Sequence, residues 1–272
     1  MGSRKVLITG ASSGFGRALA LEYASRGCHV ALCARRVDAL SAVAECVQVL
    51  GGKAICVPLD VTDTSAVARA VTTVARDLGG LDVVIANAGR GGVQDATTMT
   101  LDDVDSVVGV NVRGAFATLV AAIPVMCSQG SGQLVGVSSL AGARGMPGSA
   151  AYCASKAALS TFLESLRVDL APRGIGVTDV QPGFMDTPML EYATHRTPWR
   201  WSAERAARYA VCALEQSPAT IAFPWPLVVA TQFARLLPSF FYDRVMRAAG
   251  PSAASIRCPD AHSVTSNDRS NS

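Results

Sequence analysis

The run Lys5-Val6-Leu7-Ile8-Thr9-Gly10-Ala11-Ser12-Ser13-Gly14-Phe15-Gly16 changes character twice within twelve residues. Val6, Leu7 and Ile8 form a short, wholly apolar run, the mark of a strand buried on both faces. Three glycines follow, and then Ala18, Leu19, Ala20 and Tyr23 recur at helical spacing. Glycines let a backbone turn sharply and approach a pyrophosphate closely, and a helix N-terminus offers that anion free N–H groups. The spacing is G-x-x-x-G-x-G rather than G-x-G-x-x-G, and many glycine-rich turns are only turns. The context supplies the rest: a strand before, a helix after, and a further strand at Val30-Ala31-Leu32-Cys33.

That second strand runs into Ala34-Arg35-Arg36. An acidic residue that would bind an NAD ribose hydroxyl is missing here. Guanidinium groups suit a 2′-phosphate, so NADP(H) is favoured over NAD(H), the alternative being a solvated helix start. Residues 38–51 then repeat Leu40, Val43, Ala44, Val47 and Leu50, an amphipathic helix ended by Gly51-Gly52. Ala54–Val57 reads as a third strand leading to Leu59-Asp60-Val61, where Asp60 is placed to accept from an adenine amino group. Capping of the next helix falls more naturally to Asp63 or Thr64. A fourth strand at residues 81–86 ends in Asn87-Ala88-Gly89, small residues that leave room for a cofactor across the strand ends.

A long helix is expected from about Leu101 to Cys127, with Asn111 inside it. Asn is a poor helix-interior residue, so its position marks a local kink with a role or, as is commoner, a solvent-facing side chain. A fifth strand, Leu134–Val137, ends in Ser138-Ser139; a sixth, Ile175–Val180, leads through Gln181-Pro182-Gly183 to Thr187. Strand and helix alternate throughout, which calls for a parallel sheet with right-handed crossovers and helices on both faces. Every motif named falls at the carboxyl end of a strand, where ligands bind in such sheets.

Tyr152-Cys153-Ala154-Ser155-Lys156 opens a helical pattern carried by Ala157, Ala158, Phe162, Leu163, Leu166 and Leu170. Tyr and Lys four apart share a helix face, and an ammonium there is expected to lower the tyrosine pKa from about 10. A tyrosine so tuned passes a proton to or from an alcohol oxygen. Taken alone such a pair is more often an ordinary helix face.

Half of the 272 residues are hydrophobic and 17% are charged, ample for a core. The net charge of +3, without a Lys/Arg cluster, argues against a nucleic-acid partner. The eight cysteines show no C-x-x-C and no histidine at ligand spacing, so no metal is expected and a reduced, cytoplasmic protein is.

In order, these motifs resemble the short-chain dehydrogenase/reductase family over roughly residues 4–215. Thr9 to Gly16 fits its T-G-x-x-x-G-x-G turn, and Asp60-Val61 its adenine-contacting pair. Asn87-Ala88-Gly89 fits its N-A-G motif, with Ala86 where a first Asn is common. Asn111, Ser139, Tyr152 and Lys156 fit the catalytic tetrad, and Pro182-Gly183 with Thr187 the segment contacting the nicotinamide carboxamide. The resemblance implies an α/β, Rossmann-type doubly wound parallel sheet of about seven strands in a single domain. It implies a dinucleotide held by Gly10, Ser12, Ser13, Gly14, Phe15, Gly16, Arg35, Arg36, Asp60, Val61, Asn87, Ala88, Gly89, Tyr152, Lys156, Pro182, Gly183 and Thr187. Tyr152 would be the general acid/base, Lys156 would bias its pKa and hold the nicotinamide ribose, and Ser139 would bind the substrate oxygen. Asn111 would keep a water linking Lys156 to solvent; Ser138 rivals Ser139, but the family's Ser-to-Tyr spacing favours Ser139.

The domain is expected to occupy residues 1–250, with a substrate loop at about 184–205 and an apolar extension at about 219–250. Met189, Leu190, Tyr192, His195, Trp199 and Trp201 suit a bulky hydrophobic ketone or alcohol, although the tryptophans equally suit packing of the loop. A seventh strand is expected at Ala219–Phe223. Beyond it, Leu236, Leu237, Phe240, Phe241, Val245 and Met246 alternate with Arg235, Arg244 and Arg247, open to three readings: self-packing or a dimer contact, a substrate lid, or a peripheral membrane contact. Residues 251–272 have the composition of a disordered tail. The resemblance also implies a homodimer or homotetramer built through the helices around 101–127 and 151–172. The favoured function is an NADP(H)-dependent carbonyl reductase or alcohol dehydrogenase. The alternatives are a membrane-peripheral lipid or steroid-type ketone reductase and a non-catalytic dinucleotide-binding protein.

Overall fold

A computed structural model describes residues 3–92, 94–187 and 197–249. Strands β1 (Lys5–Thr9), β2 (His29–Ala34), β3 (Lys53–Pro58), β4 (Val83–Ala86), β5 (Gly132–Val137), β6 (Ile175–Pro182) and β9 (Thr220–Phe223) form one seven-stranded sheet, ordered β3-β2-β1-β4-β5-β6-β9. Every pairing in it is parallel. A separate ladder pairs β7 (Met185–Asp186) with β8 (Trp201–Ser202), two-residue strands that no sequence pattern signals.

The apolar strands are explained by their two covered faces. Val6 and Ile8 of β1 enter one core with α1 (Gly14–Ser25), α2 (Val37–Val49) and α7 (Ala203–Leu214). Leu7 enters the other, with α3 (Thr64–Leu78), α5 (Ala115–Gln129) and α6 (Ala150–Leu170). The chain leaves β1 toward β2 on one side and pairs β1 with β4 on the other, so a crevice opens between their carboxyl ends. Gly10 and Asn87 stand at that crevice.

Gly16 is required by packing. A Cβ there would lie 2.3 Å from the Gly10 carbonyl oxygen and 2.4 Å from Asn87 Nδ2. Gly16→Ala is therefore expected to destabilise the fold by about 1–3 kcal/mol, the usual cost of overpacking. Urea denaturation measures it, and an unchanged midpoint would refute the close approach.

The long helix expected from Leu101 to Cys127 is interrupted. α4 (Leu101–Val108) passes into a π-helical turn over Gly109–Gly114 before α5 begins. A π turn inserts a residue into the helical repeat and re-aims its side chains. Asn111 lies in it and is fully buried, so the kink reading holds over the solvent-facing one. Gly114 allows this turn to rest on Val61, whose Cγ2 would be 2.7 Å from an added Cβ.

Candidate active site

The cradle at the β1–β4 crevice is built from small residues with free N–H groups. Gly10 (φ 68°) and Gly14 (φ 53°) hold the left-handed conformation that turns β1 into α1. Ser13, at the N-cap of α1, makes no side-chain capping bond, so the first-turn N–H groups face the crevice uncapped. A dinucleotide pyrophosphate fits such an end. Phe15 contributes only backbone here, because its ring is buried and faces Phe223 at 6.4 Å.

Asn87 and Thr9 hold this cradle in shape. Asn87 Nδ2 donates to the Thr9 carbonyl at 2.9 Å, while the Thr9 hydroxyl accepts the N–H groups of Asn87 and Ala88, each at 3.1 Å. The side chain of Asn87 is thereby engaged in joining two strand ends. The buried Thr9 hydroxyl is a contributor that the glycine pattern does not single out, although a Thr directly before the first glycine is its signal in the sequence.

Arg36 Nη2 donates to the Ser12 hydroxyl at 3.2 Å, which brings an exposed guanidinium against the glycine turn. Arg35 Nη1 stands 4.0 Å from Asp60 Oδ2, both largely exposed. Asp60 Oδ1 accepts from the Thr62 N–H and hydroxyl at 3.0 and 2.9 Å, and the N–H bond foremost holds its carboxyl below the usual range. Helix capping falls to Asp63, which accepts from the Ala66 N–H. Val61 is buried beneath the π turn.

Three elements bring the expected tetrad residues together. Ser139 stands at the end of β5, where its Oγ accepts from the Ala141 N–H at 3.1 Å and donates to the Pro182 carbonyl at 3.3 Å. It is also hydrogen-bonded to the Tyr152 phenol at the start of α6. Lys156, buried one turn on, donates from Nζ to the Val137 carbonyl at 2.8 Å. Asn111 Oδ1 accepts the Arg90 N–H at 2.7 Å, and its Nδ2 donates to the Arg90 carbonyl at 2.9 Å and to Ser155 Oγ at 3.0 Å. Gly89 joins the two groups, since a Cβ there would lie 3.6 Å from Asn111 Oδ1 and 3.7 Å from Lys156 Nζ.

The electrostatics differ from the sequence expectation in one respect. Lys156 was expected to lower the Tyr152 pKa, yet that pKa is raised. Burial dominates, and the hydrogen bond with Ser139 opposes it. Lys156 Nζ lies 5.7 Å from the Tyr152 ring centroid and points its proton at a backbone carbonyl instead. Burial also pushes the Lys156 ammonium down to about 8, with the Asp179 charge opposing.

Asp179 is a further residue of the site that nothing in its strand pattern singles out. It is buried on β6, and its Oδ2 accepts from Gln181 Nε2 at 2.7 Å while its Oδ1 accepts from the Ser138 hydroxyl. Ser138 is therefore turned into the sheet toward Asp179, and Ser139 is the serine beside Tyr152. Asp179→Asn removes the charge that supports the ammonium. The Lys156 pKa is expected to fall further below about 8, read from its side-chain resonance in an NMR titration. An unmoved titration would show that the two groups are uncoupled.

Pro182 is buried, and the Gly183 N–H donates to the Phe223 carbonyl at 2.7 Å, so β9 fixes the start of the segment that reaches Thr187. Met189, Leu190, Tyr192 and His195 of the expected substrate loop, like the expected tail at 251–272, lie outside the described residues. Trp201 stacks on Phe223 at 5.1 Å under the Arg205 guanidinium, which makes it a packing residue. Trp199 is exposed.

The family model described as short chain dehydrogenase matches residues 4–198. An uncharacterized oxidoreductase of Myxococcus xanthus is 42% identical over 247 residues, covering 91% of this chain and 98% of the relative. A short chain dehydrogenase of Burkholderia cenocepacia, solved in complex with NADP, superposes with a TM-score of 0.73 at 32% identity over 81% of this chain and 96% of that one. One from Mycobacterium paratuberculosis, bound to NAD, does so with a TM-score of 0.73 at 27% identity over 80% and 95%. With its parallel Rossmann sheet and its glycine cradle at the switch point, this chain belongs to the short chain dehydrogenase family and is one of its nucleotide-binding oxidoreductases.

Proposed function

We propose that the protein reduces a bulky hydrophobic ketone or aldehyde to the alcohol, or runs the reverse reaction, with NADP(H). The observation that carries this reading is the meeting of Ser139, Tyr152, Lys156 and Asn111 beside Gly89 at the strand ends. The dinucleotide, when bound, supplies the hydride. Tyr152 gives its phenolic proton to the carbonyl oxygen of the substrate, and the raised pKa keeps that proton in place at neutral pH. Ser139 donates a hydrogen bond to the same oxygen as charge develops on it. Lys156 remains largely an ammonium near pH 7, with a pKa of about 8, and is the group placed to hold the nicotinamide ribose. Asn111 has its whole side-chain amide engaged, so a water leading from Lys156 toward solvent would rest on its backbone carbonyl in the π turn.

The raised Tyr152 pKa gives the two directions different pH profiles. Reduction needs the phenol and is expected to hold its rate through neutral pH. Oxidation needs the phenolate and is expected to climb steadily above pH 7 toward a pKa above the ordinary 10. Initial rates in both directions across pH check this, and an oxidation rate that levels off near neutral pH would contradict it.

Support for NADP(H) comes from Arg36 against Ser12, with Arg35 beside it. Arg36→Ala is expected to lower kcat/KM with NADPH by about 10- to 100-fold, the worth of a charge-assisted hydrogen bond, and to leave NADH rates nearly unchanged. The assay is NADPH and NADH oxidation over a panel of aromatic, aliphatic and steroid-like ketones. Faster turnover with NADH in the unaltered protein would reverse the cofactor assignment.

A further inference from the structure

Helices α8 (Trp225–Leu236) and α9 (Ser239–Ala249) follow the sheet, and α8 contains no buried residue. Its exposed apolar side chains are Trp225 (76%), Val229 (60%), Phe233 (64%) and Leu236 (82%). Their spacing of four, four and three places them in one stripe along the helix. In α9, Phe240 and Phe241 pack together at 4.1 Å and are exposed, as is Val245.

Both helices are held to the body through their other sides. Arg144, in the segment after Ser139, donates from Nη1 to the carbonyls of Ala234 and Leu237. Its guanidinium lies 3.9 Å from the centroid of the Tyr242 ring, whose hydroxyl donates to the Gly145 carbonyl at 2.6 Å. At the start of α8, Leu227 packs against Gly183. On α8 the anchored face is thus that of Leu227 and Ala234, and the apolar stripe of Trp225, Val229, Phe233 and Leu236 lies on the opposite side.

We propose that the α8–α9 pair docks on the surface of an anionic lipid bilayer, with the stripe seated at the headgroup boundary and the arginines on the lipid phosphates. Charge selects this occupant. Arg235, Arg244 and Arg247 are exposed beside the apolar residues, and Asp243 is the one acidic residue between 225 and 249. Aromatic and leucine side chains on one side with arginine alongside is the pattern of a helix lying in a membrane interface. A second copy of the chain fits less well, because a two-fold contact sets a patch against itself and would oppose the same arginines. The inference is independent of the redox reading, since binding is measured without turnover.

The test is co-sedimentation of the full chain with vesicles of phosphatidylcholine alone and of phosphatidylcholine mixed with phosphatidylserine. Binding is expected to the mixed vesicles, to weaken as salt is raised, and to fall about fivefold for each arginine removed in Arg244→Gln and Arg247→Gln. The double variant Phe233→Ser/Phe240→Ser is expected to lose binding while keeping its circular dichroism and its NADPH affinity. Absence of vesicle binding, or binding unchanged in both sets of variants, overturns the proposal. So does light scattering that finds an oligomer in the unaltered protein and a monomer in the phenylalanine variant, which would assign the stripe to a second copy.

Discussion

Replacement of Tyr152 by Phe is expected to reduce kcat/KM for carbonyl reduction by about 10²- to 10⁴-fold, the usual contribution of a positioned proton donor. The ring stays and only the hydroxyl goes, so the start of α6 keeps its packing. The hydroxyl is hydrogen-bonded to Ser139, whose Oγ also accepts from Ala141 and donates to Pro182. Those two remaining bonds keep Ser139 in place after the substitution. NADPH affinity is therefore expected to change little, and fluorescence titration separates this from a loss of binding. A variant that retained rates within a few-fold of the parent would remove Tyr152 from the chemistry and leave the protein a dinucleotide binder.

Lys156→Met is expected to cause a comparable fall in kcat and, unlike Tyr152→Phe, a weaker affinity for NADPH. The ammonium is the buried cation of the site, held by the Val137 carbonyl beneath Gly89. Its removal leaves a methionine of similar length but no donor for a ribose hydroxyl. Stability carries a second, independent signature. Burial lowers the Lys156 pKa from 10.5 to about 8, so between those values the unfolded chain binds a proton that the folded chain does not. Stability then rises with pH through that window, and the burial penalty is fully present below about pH 8. Lys156→Met abolishes this slope. Urea denaturation of both proteins across the window reads the difference, and parallel curves would mean that the ammonium titrates as it does in water.

Much of this architecture is legible in the sequence. Strand and helix limits fell within a few residues of the expected ones because each element carries its own signal. Val6-Leu7-Ile8 is apolar throughout since alternate residues feed two cores, and Gly79 ends α3 with a φ of 69° that a glycine adopts freely. The cofactor turn was equally readable, because its glycines are required by backbone geometry at that place. The two-residue β7–β8 ladder was not, because strands of two residues are too short to show a period of their own.

The sequence alone determined the order along the chain of the seven strands of the main sheet, their parallel alternation with helices, the glycine cradle and the identity of the residues at the strand ends. These follow from local causes: apolar period, chain-reversing glycines and helix caps. Tertiary structure decided what those residues do to one another. It set the direction of the Tyr152 pKa, because desolvation depends on everything packed around the ring and outweighs a lysine one turn away. It turned Ser138 toward Asp179, a residue 41 positions away in the chain, and left Ser139 beside Tyr152. It engaged the amides of Asn87 and Asn111 in joining separate segments. It also left the stripe of α8 facing outward, anchoring that helix by Arg144 at its opposite side. Hydrogen-bond partners and burial are supplied by segments distant in sequence, and no periodicity within a single segment encodes them.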